Sequence, residues 1–65
     1  MKKIGFIGCG NMGGALARAA VKSVGSENIF VYDIDTQKAK IFSEETDVNI
    51  ADAEYIILNC DYIFL

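Results

Sequence analysis

Apolar runs alternate along this chain with stretches in which apolar residues recur at helical spacing. Uninterrupted apolar runs are typical of parallel strands buried on both faces, and recurrence every three or four residues is typical of amphipathic helices. The predicted strands are residues 2–8, 29–32, 48–50 and 61–65, and the predicted helices are residues 11–24, residues 36–45 and a short segment that begins near Asp52. Residues 51–58 are ambiguous, because residues 56–58 alone could form a strand, but parallel strands need a crossover between them, which favours the helix.

Single residues predict where the helices end and which sides of them face the sheet. Gly25 is placed to stop the first helix, and either Asp35 or Thr36 caps the second. Arg18 and Lys22 are directed away from the apolar side of the first helix. The side chains predicted to face the sheet are Met12, Leu16, Ala19 and Ala20 in the first helix and Ala39 and Phe42 in the second, with Ile41 as a further candidate.

The β-α-β-α-β-α-β alternation predicts an α/β protein with a doubly wound parallel sheet, strand order 3-2-1-4 and right-handed crossovers. The fourth strand would then lie at an uncovered edge of the sheet. A chain of 65 residues is too short for two domains. Because the sequence ends within an apolar strand, we expect residues 1–65 to be one partial domain, truncated after strand 4.

A glycine motif joins the first predicted strand to the first predicted helix. Gly8, Gly10 and Gly13 have the spacing G-x-G-x-x-G. In such a motif the first glycine allows a tight turn, the second lets a pyrophosphate approach the backbone, and the third lets helix and strand pack closely. The N–H groups that begin the helix then face the phosphates. The sequence therefore predicts a Rossmann-type domain that binds NADP or NAD.

The residues between the glycines are candidates for the same site. Asn11 is expected to cap the helix, with its backbone near the pyrophosphate. Met12 could either fill the core or form a wall of the nicotinamide pocket, and Cys9 is more simply a small residue of the turn than a reactive thiol. The predicted cofactor-binding residues are Gly8, Cys9, Gly10, Asn11, Met12, Gly13 and Asp33.

Asp33 closes the second predicted strand, 20 positions after Gly13. Rossmann-type domains place there a carboxylate that binds the ribose hydroxyls, although an acid at this position could also be a solvated strand end or a helix cap. As a ribose ligand, Asp33 would favour NAD, because a carboxylate repels the 2′-phosphate of NADP. Lys38 or Lys40 could offset that repulsion, although a solvated helix face explains both lysines more simply.

The composition excludes several other classes of function. The net charge is −3 without a basic run, so the sequence indicates neither nucleic acid nor an anionic membrane, and no segment has the length of a membrane span. Without histidine, a nucleophile set, a carboxylate pair or a metal cluster, we expect no catalytic or metal-binding residue, and the cofactor to carry the chemistry. The two cysteines, Cys9 and Cys60, lack metal or disulfide spacing, which favours a reduced, cytoplasmic setting.

Residues 5–13, GFIGCGNMG, resemble the N-terminus of pyrroline-5-carboxylate reductases, which commonly begin GFIGxGNMG. Weaker similarity continues through residues 31–33, 51–52 and 61–65, so that it covers essentially the whole chain. The resemblance implies the N-terminal NAD(P)-binding part of an enzyme that reduces 1-pyrroline-5-carboxylate, a small-molecule substrate, to proline by hydride transfer. It also implies a C-terminal helical domain, absent from this chain, that supplies dimer contacts and much of the substrate site, so the parent is expected to be a homo-oligomer.

One position departs from that family, and two other functions stay open. Ala53 stands where relatives often carry an asparagine that contacts the cofactor ribose, so either binding is weaker or the alignment shifts there by one residue. Another reductase with a 3-hydroxyacid-dehydrogenase-like domain is one alternative, which the Asn11-Met12 pair disfavours. The other is a nucleotide-sensing module without turnover. We expect no turnover from the 65 residues themselves, because they contain no complete active site.

Overall fold

The computed structural model describes residues 2–8 and 11–65, and of residues 11–13 it describes the backbone alone. The strands and helices within those residues are β1 (Ile4–Ile7), α1 (Asn11–Val24), β2 (Ile29–Tyr32), α2 (Thr36–Thr46), β3 (Asn49–Ile50), α3 (Ala53–Asn59) and β4 (Tyr62–Phe64), with a 3₁₀ turn over Ser26–Asn28. Every predicted element is confirmed, including a helix after β3, and the ends move by at most two residues. None of the described helices is long and apolar enough to cross a membrane.

The strands form one parallel sheet in the order β3-β2-β1-β4, which confirms the predicted doubly wound arrangement. Phe6 of β1 pairs with Val31 of β2 on one side and with Phe64 of β4 on the other. The chain passes from β1 outward to β2 and β3 and then returns to the other side of β1. In sheets of this kind the point of reversal, at the carboxyl ends of the strands, is where ligands bind.

The two faces of the sheet are covered by different helices. The main core lies between the sheet and the first two helices, and comprises Phe6, Ala17, Ile29, Val31, Phe42 and Val48. On the opposite face α3 places the fully buried Ile56 against Gly5, and the ring of Tyr55 lies 5.4 Å from that of Phe30. The short α3 therefore covers its face of the sheet through a very close approach at one glycine.

The side of α1 that faces the sheet differs from the predicted one. Leu16 is 49% exposed and Ala19 is exposed, whereas Ala17 is buried and Val21 packs against the core. From the predicted set, Ala20 packs as expected. Four alanines are spread around this helix, so the apolar pattern covers most of its circumference and does not single out one side. The contact with the core is made by Ala17, Ala20, Val21 and Val24, and not by the larger Leu16.

The surface between α1 and α2 carries an exposed ion pair and the half-exposed side chain of Ile41. In α2, Ala39 and Phe42 are buried as predicted, but Ile41 is 49% exposed, so its inward placement was wrong. The Nη2 atom of Arg18 lies 2.8 Å from Oε1 of Glu45, and its guanidinium lies 5.0 Å from the centre of the Phe42 ring. Both charged side chains are about half exposed, so the ion pair contributes at most about 1 kcal/mol.

The helix ends follow ordinary capping chemistry. The N-cap of α2 is Asp35, which decides the choice between that residue and Thr36, and its carboxylate accepts hydrogen bonds from the backbone N–H groups two and three residues later. Asp52 caps α3 by accepting a 2.8 Å hydrogen bond from the Tyr55 N–H. Gly25 follows α1 with φ +89°, a conformation that suits glycine and confirms the predicted stop.

Strand β4 lies at the edge of the sheet and carries exposed apolar side chains. Tyr62 is 54% exposed, Ile63 38% and Phe64 46%, although the Phe64 ring stacks on that of Phe6 with centres 5.1 Å apart. Only β1 pairs with this strand in the described sheet, so its outer backbone groups are open to pairing with another chain. Exposed apolar edge strands of this kind promote association.

We therefore expect the chain to self-associate as its concentration rises, and a Tyr62→Lys variant to associate less. The lysine places a charge on the open edge while leaving the Phe6–Phe64 stack in place. Sedimentation velocity across a concentration series measures the effect. Ile34→Lys is the matched control, because Ile34 is 89% exposed in the loop after β2 and away from this edge. A chain that stays monomeric at every concentration would contradict the prediction.

Candidate functional site

Gly8 directly follows β1 and has a backbone conformation that favours glycine. Gly8 has φ +106°, a conformation that residues with a Cβ rarely adopt, and its N–H donates a 2.6 Å hydrogen bond to the carbonyl oxygen of Tyr32. Apart from Gly8 and its two neighbours in the chain, no described residue has an atom within 4 Å of the position that a Cβ on Gly8 would take. The positive φ of Gly8 fits the tight turn predicted for the first glycine of the motif, and its part in binding a cofactor stays a prediction.

Helix α1 begins at Asn11, three residues after Gly8. The first N–H groups of a helix have no partner within it, and they carry the positive end of its dipole. No acidic residue stands in the first turn of α1, so this end of the helix suits an anion. The roles assigned to Cys9 and Gly10 concern residues outside the described part of the chain. The side chain of Met12 is also outside it, and its role, like those of Asn11 and Gly13, stays a prediction.

Asp33 lies beside the glycine turn at the same edge of the sheet. Ile7 and Tyr32 are paired and end their strands, so Gly8 and Asp33, which follow them, stand at the ends of neighbouring strands. Asp33 is half-buried, and its Oδ1 atom accepts a 2.9 Å hydrogen bond from the Asp35 N–H. That bond orients the Asp33 carboxylate. The N-cap of α2 is Asp35 and not Asp33, so Asp33 is not the cap of that helix, and its role as a ribose ligand stays a prediction.

A cavity of about 290 Å³ opens beside Asp33, between α2 and the carboxyl ends of β2 and β3. Its lining residues are Tyr32, Asp33, Thr36, Ala39, Ile50, Ala51 and Asp52. The volume is close to the lower limit of about 300 Å³ for small-molecule pockets, and apolar walls with a few polar groups are typical of them. The cavity lies beside Asp33, where the adenosine half of a dinucleotide is predicted to bind, and we call it the adenosine cavity.

Sequence reasoning assigned no site role to Ile50, Ala51 or Asp52, which complete this cavity. The signal was present, because β3 neighbours β2 in the predicted strand order and the residues after neighbouring parallel strands meet at one edge. The Ala51 N–H fixes the connection after β3 by donating a 3.0 Å hydrogen bond to the Val31 carbonyl oxygen. Ala53, where relatives of the resembled family carry asparagine, begins α3 and is not among the residues that line the cavity.

Cys60 lies on the opposite face, close to Gly5, and is a free, partly buried thiol. Burial raises the pKa of the Cys60 thiol above its usual value, the Lys3 ammonium partly opposes that rise, and Asp61 adds to it. A thiol with a raised pKa stays protonated and weakly nucleophilic near neutral pH. We interpret Cys60 as a packing residue beneath α3. In the described part of the chain, no group of three or more His, Cys, Asp or Glu residues could hold a metal ion.

Comparison with known families agrees with this geometry. A family model described as "NADP oxidoreductase coenzyme F420-dependent" matches residues 3–65, which include the glycine turn, Asp33 and the cavity. Comparison with curated proteins and with solved structures gave no match. The matched span is nearly the whole chain, and its parallel sheet of order 3-2-1-4 is that of a nucleotide-binding domain. The chain therefore belongs to the family of NADP oxidoreductases described as coenzyme F420-dependent.

Proposed function

We propose that this chain is the dinucleotide-binding part of an enzyme that reduces 1-pyrroline-5-carboxylate to proline. The observation that carries the binding role is the meeting, at one edge of the sheet, of the open turn at Gly8, the amide end of α1 and the carboxylate of Asp33. The substrate assignment rests on the resemblance of residues 5–13 to pyrroline-5-carboxylate reductases. Membership of a family of NADP oxidoreductases supports the dinucleotide-binding role.

The chain's own part in this reaction is binding and orientation. A bound NADPH or NADH supplies the hydride. The glycine turn and the N–H groups of α1 hold the diphosphate, and Asp33 accepts hydrogen bonds from ribose hydroxyls at the mouth of the adenosine cavity. Holding both halves of the cofactor fixes where its nicotinamide lies, which is the positioning that hydride transfer requires.

The rest of the active site belongs to the proposed parent protein. We propose that a C-terminal helical domain supplies the substrate-binding residues and the contacts of a homo-oligomer, as the resemblance implies. We propose no catalytic residue within residues 1–65, because the cofactor carries the chemistry. A cytoplasmic setting is part of the proposal, and the free thiol of Cys60 is compatible with a reducing compartment.

The deciding experiment follows the oxidation of NADH and NADPH by the full-length parent in the presence of 1-pyrroline-5-carboxylate. We expect substrate-dependent oxidation with proline as the product, and no turnover by residues 1–65 alone. Oxidation with a 3-oxoacid instead would favour a 3-hydroxyacid-dehydrogenase-like reductase. Tight dinucleotide binding without turnover of either substrate would favour a sensing module. Either of these outcomes would overturn the substrate assignment and leave the dinucleotide site in place.

A further inference from the structure

The charged residues of this chain are divided unevenly along its length. All six lysine and arginine residues lie within residues 1–40, whereas residues 41–65 carry six acidic residues and no basic one. The helices on one face of the sheet, α1 and α2, together carry four basic and two acidic residues. On the opposite face, α3 carries one acidic and no basic residue and stands between Asp52 and Asp61. The two faces of the molecule therefore carry helices of opposite charge.

A groove between α1 and α2 carries basic side chains. It consists of two cavities, of about 200 and 350 Å³, which both border on Arg18 and Glu45. Lys38 lines the smaller cavity and Lys22 the larger one. Arg18 and Glu45 form an ion pair with each other, whereas neither lysine forms an ion pair with another described residue. This α1–α2 groove thus presents two ammonium groups that an acidic partner could approach.

Helix α3 presents two large aliphatic side chains to solvent. Ile57 is 61% exposed and Leu58 is 74% exposed. Glu54 precedes them by three and four residues, so the three side chains share one side of the helix, and Glu54 is exposed as well. We call these three residues the α3 ridge, and the exposed Asp61 follows it in the chain. Contiguous exposed apolar side chains rimmed by polar ones are typical of interaction sites.

We propose that the α3 ridge of one copy of this chain docks in the α1–α2 groove of a second copy. The aliphatic pair of the ridge lies against the apolar walls of the groove, to which Val21 and the 49% exposed Ile41 contribute. Glu54 and Asp61, which precede and follow that pair, meet the two lysines of the groove. Seven residues make α3 about 10 Å long, and α1 is twice that length, so the ridge can lie along the groove. Packing of one helix in the groove of another protein is a recurring mode of recognition.

The positions of ridge and groove fix the kind of assembly. They lie on opposite faces of the sheet, so a copy cannot fill its own groove. Association is therefore head to tail, and each added copy leaves one ridge and one groove free for the next. The contact is smaller than a standard interface and joins opposite charges, so it is weak and is screened by salt. It involves neither the dinucleotide site nor the open edge of β4.

The test measures self-association of the whole 65-residue chain by sedimentation velocity at low ionic strength. Every variant also carries Tyr62→Lys, so that pairing at the β4 edge does not contribute. We expect residual association, and Lys38→Glu should raise its dissociation constant by about fivefold, because a carboxylate then faces the acidic residues of the ridge. Lys40→Glu is the matched control, since it makes the same charge reversal on α2 at an exposed residue that does not line the groove. It should leave the constant within about twofold.

A mixing experiment tests the head-to-tail geometry. Ile57→Gln removes an aliphatic side chain from the ridge and leaves the groove intact, whereas Lys38→Glu alters the groove and leaves the ridge intact. Each variant alone should associate about fivefold more weakly than the chain with both surfaces. Mixed together, they should form a one-to-one dimer of the original affinity that does not grow further, because only one intact ridge and one intact groove can meet. Circular dichroism verifies that each variant keeps its helices.

Three results would each overturn the docking of ridge and groove. The first is a Tyr62→Lys chain that stays monomeric at every concentration. The second is an equal change of the dissociation constant by Lys38→Glu and Lys40→Glu, which would mean that net charge alone controls association. The third is a mixture of the Ile57→Gln and Lys38→Glu variants that associates no better than either one alone.

Discussion

A Gly5→Ala variant should lower the free energy of unfolding by about 2 kcal/mol, although alanine normally suits a strand better than glycine does. The gain in strand propensity is about 0.5–1 kcal/mol. Against it, the new Cβ would overlap Cγ2 of Ile56 and lie 3.0 Å from Sγ of Cys60. Ile56 is fully buried and Cγ2 is attached at its branch point, so α3 would have to move. Overpacking of this kind costs about 1–3 kcal/mol beyond any propensity gain.

That loss is large for a domain of this size. A single core in a chain below about 70 residues seldom supplies more than about 3–5 kcal/mol of folding stability. A loss of about 2 kcal/mol should therefore lower the melting temperature by about 10 °C. Urea unfolding followed by circular dichroism measures the change. If Gly5→Ala leaves stability unchanged or raises it, α3 does not approach β1 as closely as the structure has it.

A double-mutant cycle identifies the contact responsible. Ile56→Leu removes the Cγ2 atom while keeping the side-chain volume, and alone it should cost about 1 kcal/mol. Combined with Gly5→Ala, it should cost less than the sum of the two single changes by about 1 kcal/mol, because the overlapping atom is gone. Strictly additive costs would mean that Gly5 is required for a reason other than contact with Ile56.

The strand order was predictable because few chain paths satisfy parallel pairing with right-handed crossovers. The short apolar run at residues 56–58 was assigned to a helix for the same reason, and α3 confirms it. The orientation of α1 was not predictable from its apolar pattern, since alanine-rich helices present small residues on most sides. Its contact with the sheet was decided by Val21 and its neighbours, and so by tertiary packing.

Part of the candidate site could also be predicted from spacing in the sequence, whereas another part depends on how the strands pair in the sheet. Gly8 and Asp33 could be predicted as site residues because the motif requires a particular backbone conformation or chain position at the end of each strand. Asp52 lines the cavity because of the register between β2 and β3, which a motif within one strand-turn-helix unit does not contain. The close approach of α3 at Gly5 could also have been predicted, because a lone glycine inside a strand often marks a close approach by another element.

A Gly10→Val variant should bind NADH at least about 100-fold more weakly than the unmodified chain, a loss of about 2.7 kcal/mol. The motif predicts that position 10 lies against the pyrophosphate, where an isopropyl group would keep the phosphates from the backbone and from the N–H groups of α1. The loss should be equally large for NADPH, because the diphosphate is common to both cofactors. Titration of each cofactor's fluorescence measures it.

Ala19→Val is the control for added bulk on the same segment, because Ala19 is exposed on α1 and distant in sequence from the turn. The NADH dissociation constant of this variant should lie within about twofold of that of the unmodified chain. Its stability should fall only by the difference in helix propensity between alanine and valine. Unfolding curves separate lost binding from lost folding, since Gly10→Val should keep the cooperative transition. Equal NADH affinity in the Gly10→Val variant and the unmodified chain would mean that the diphosphate does not rest on this turn, and the function proposed from it would have to be abandoned.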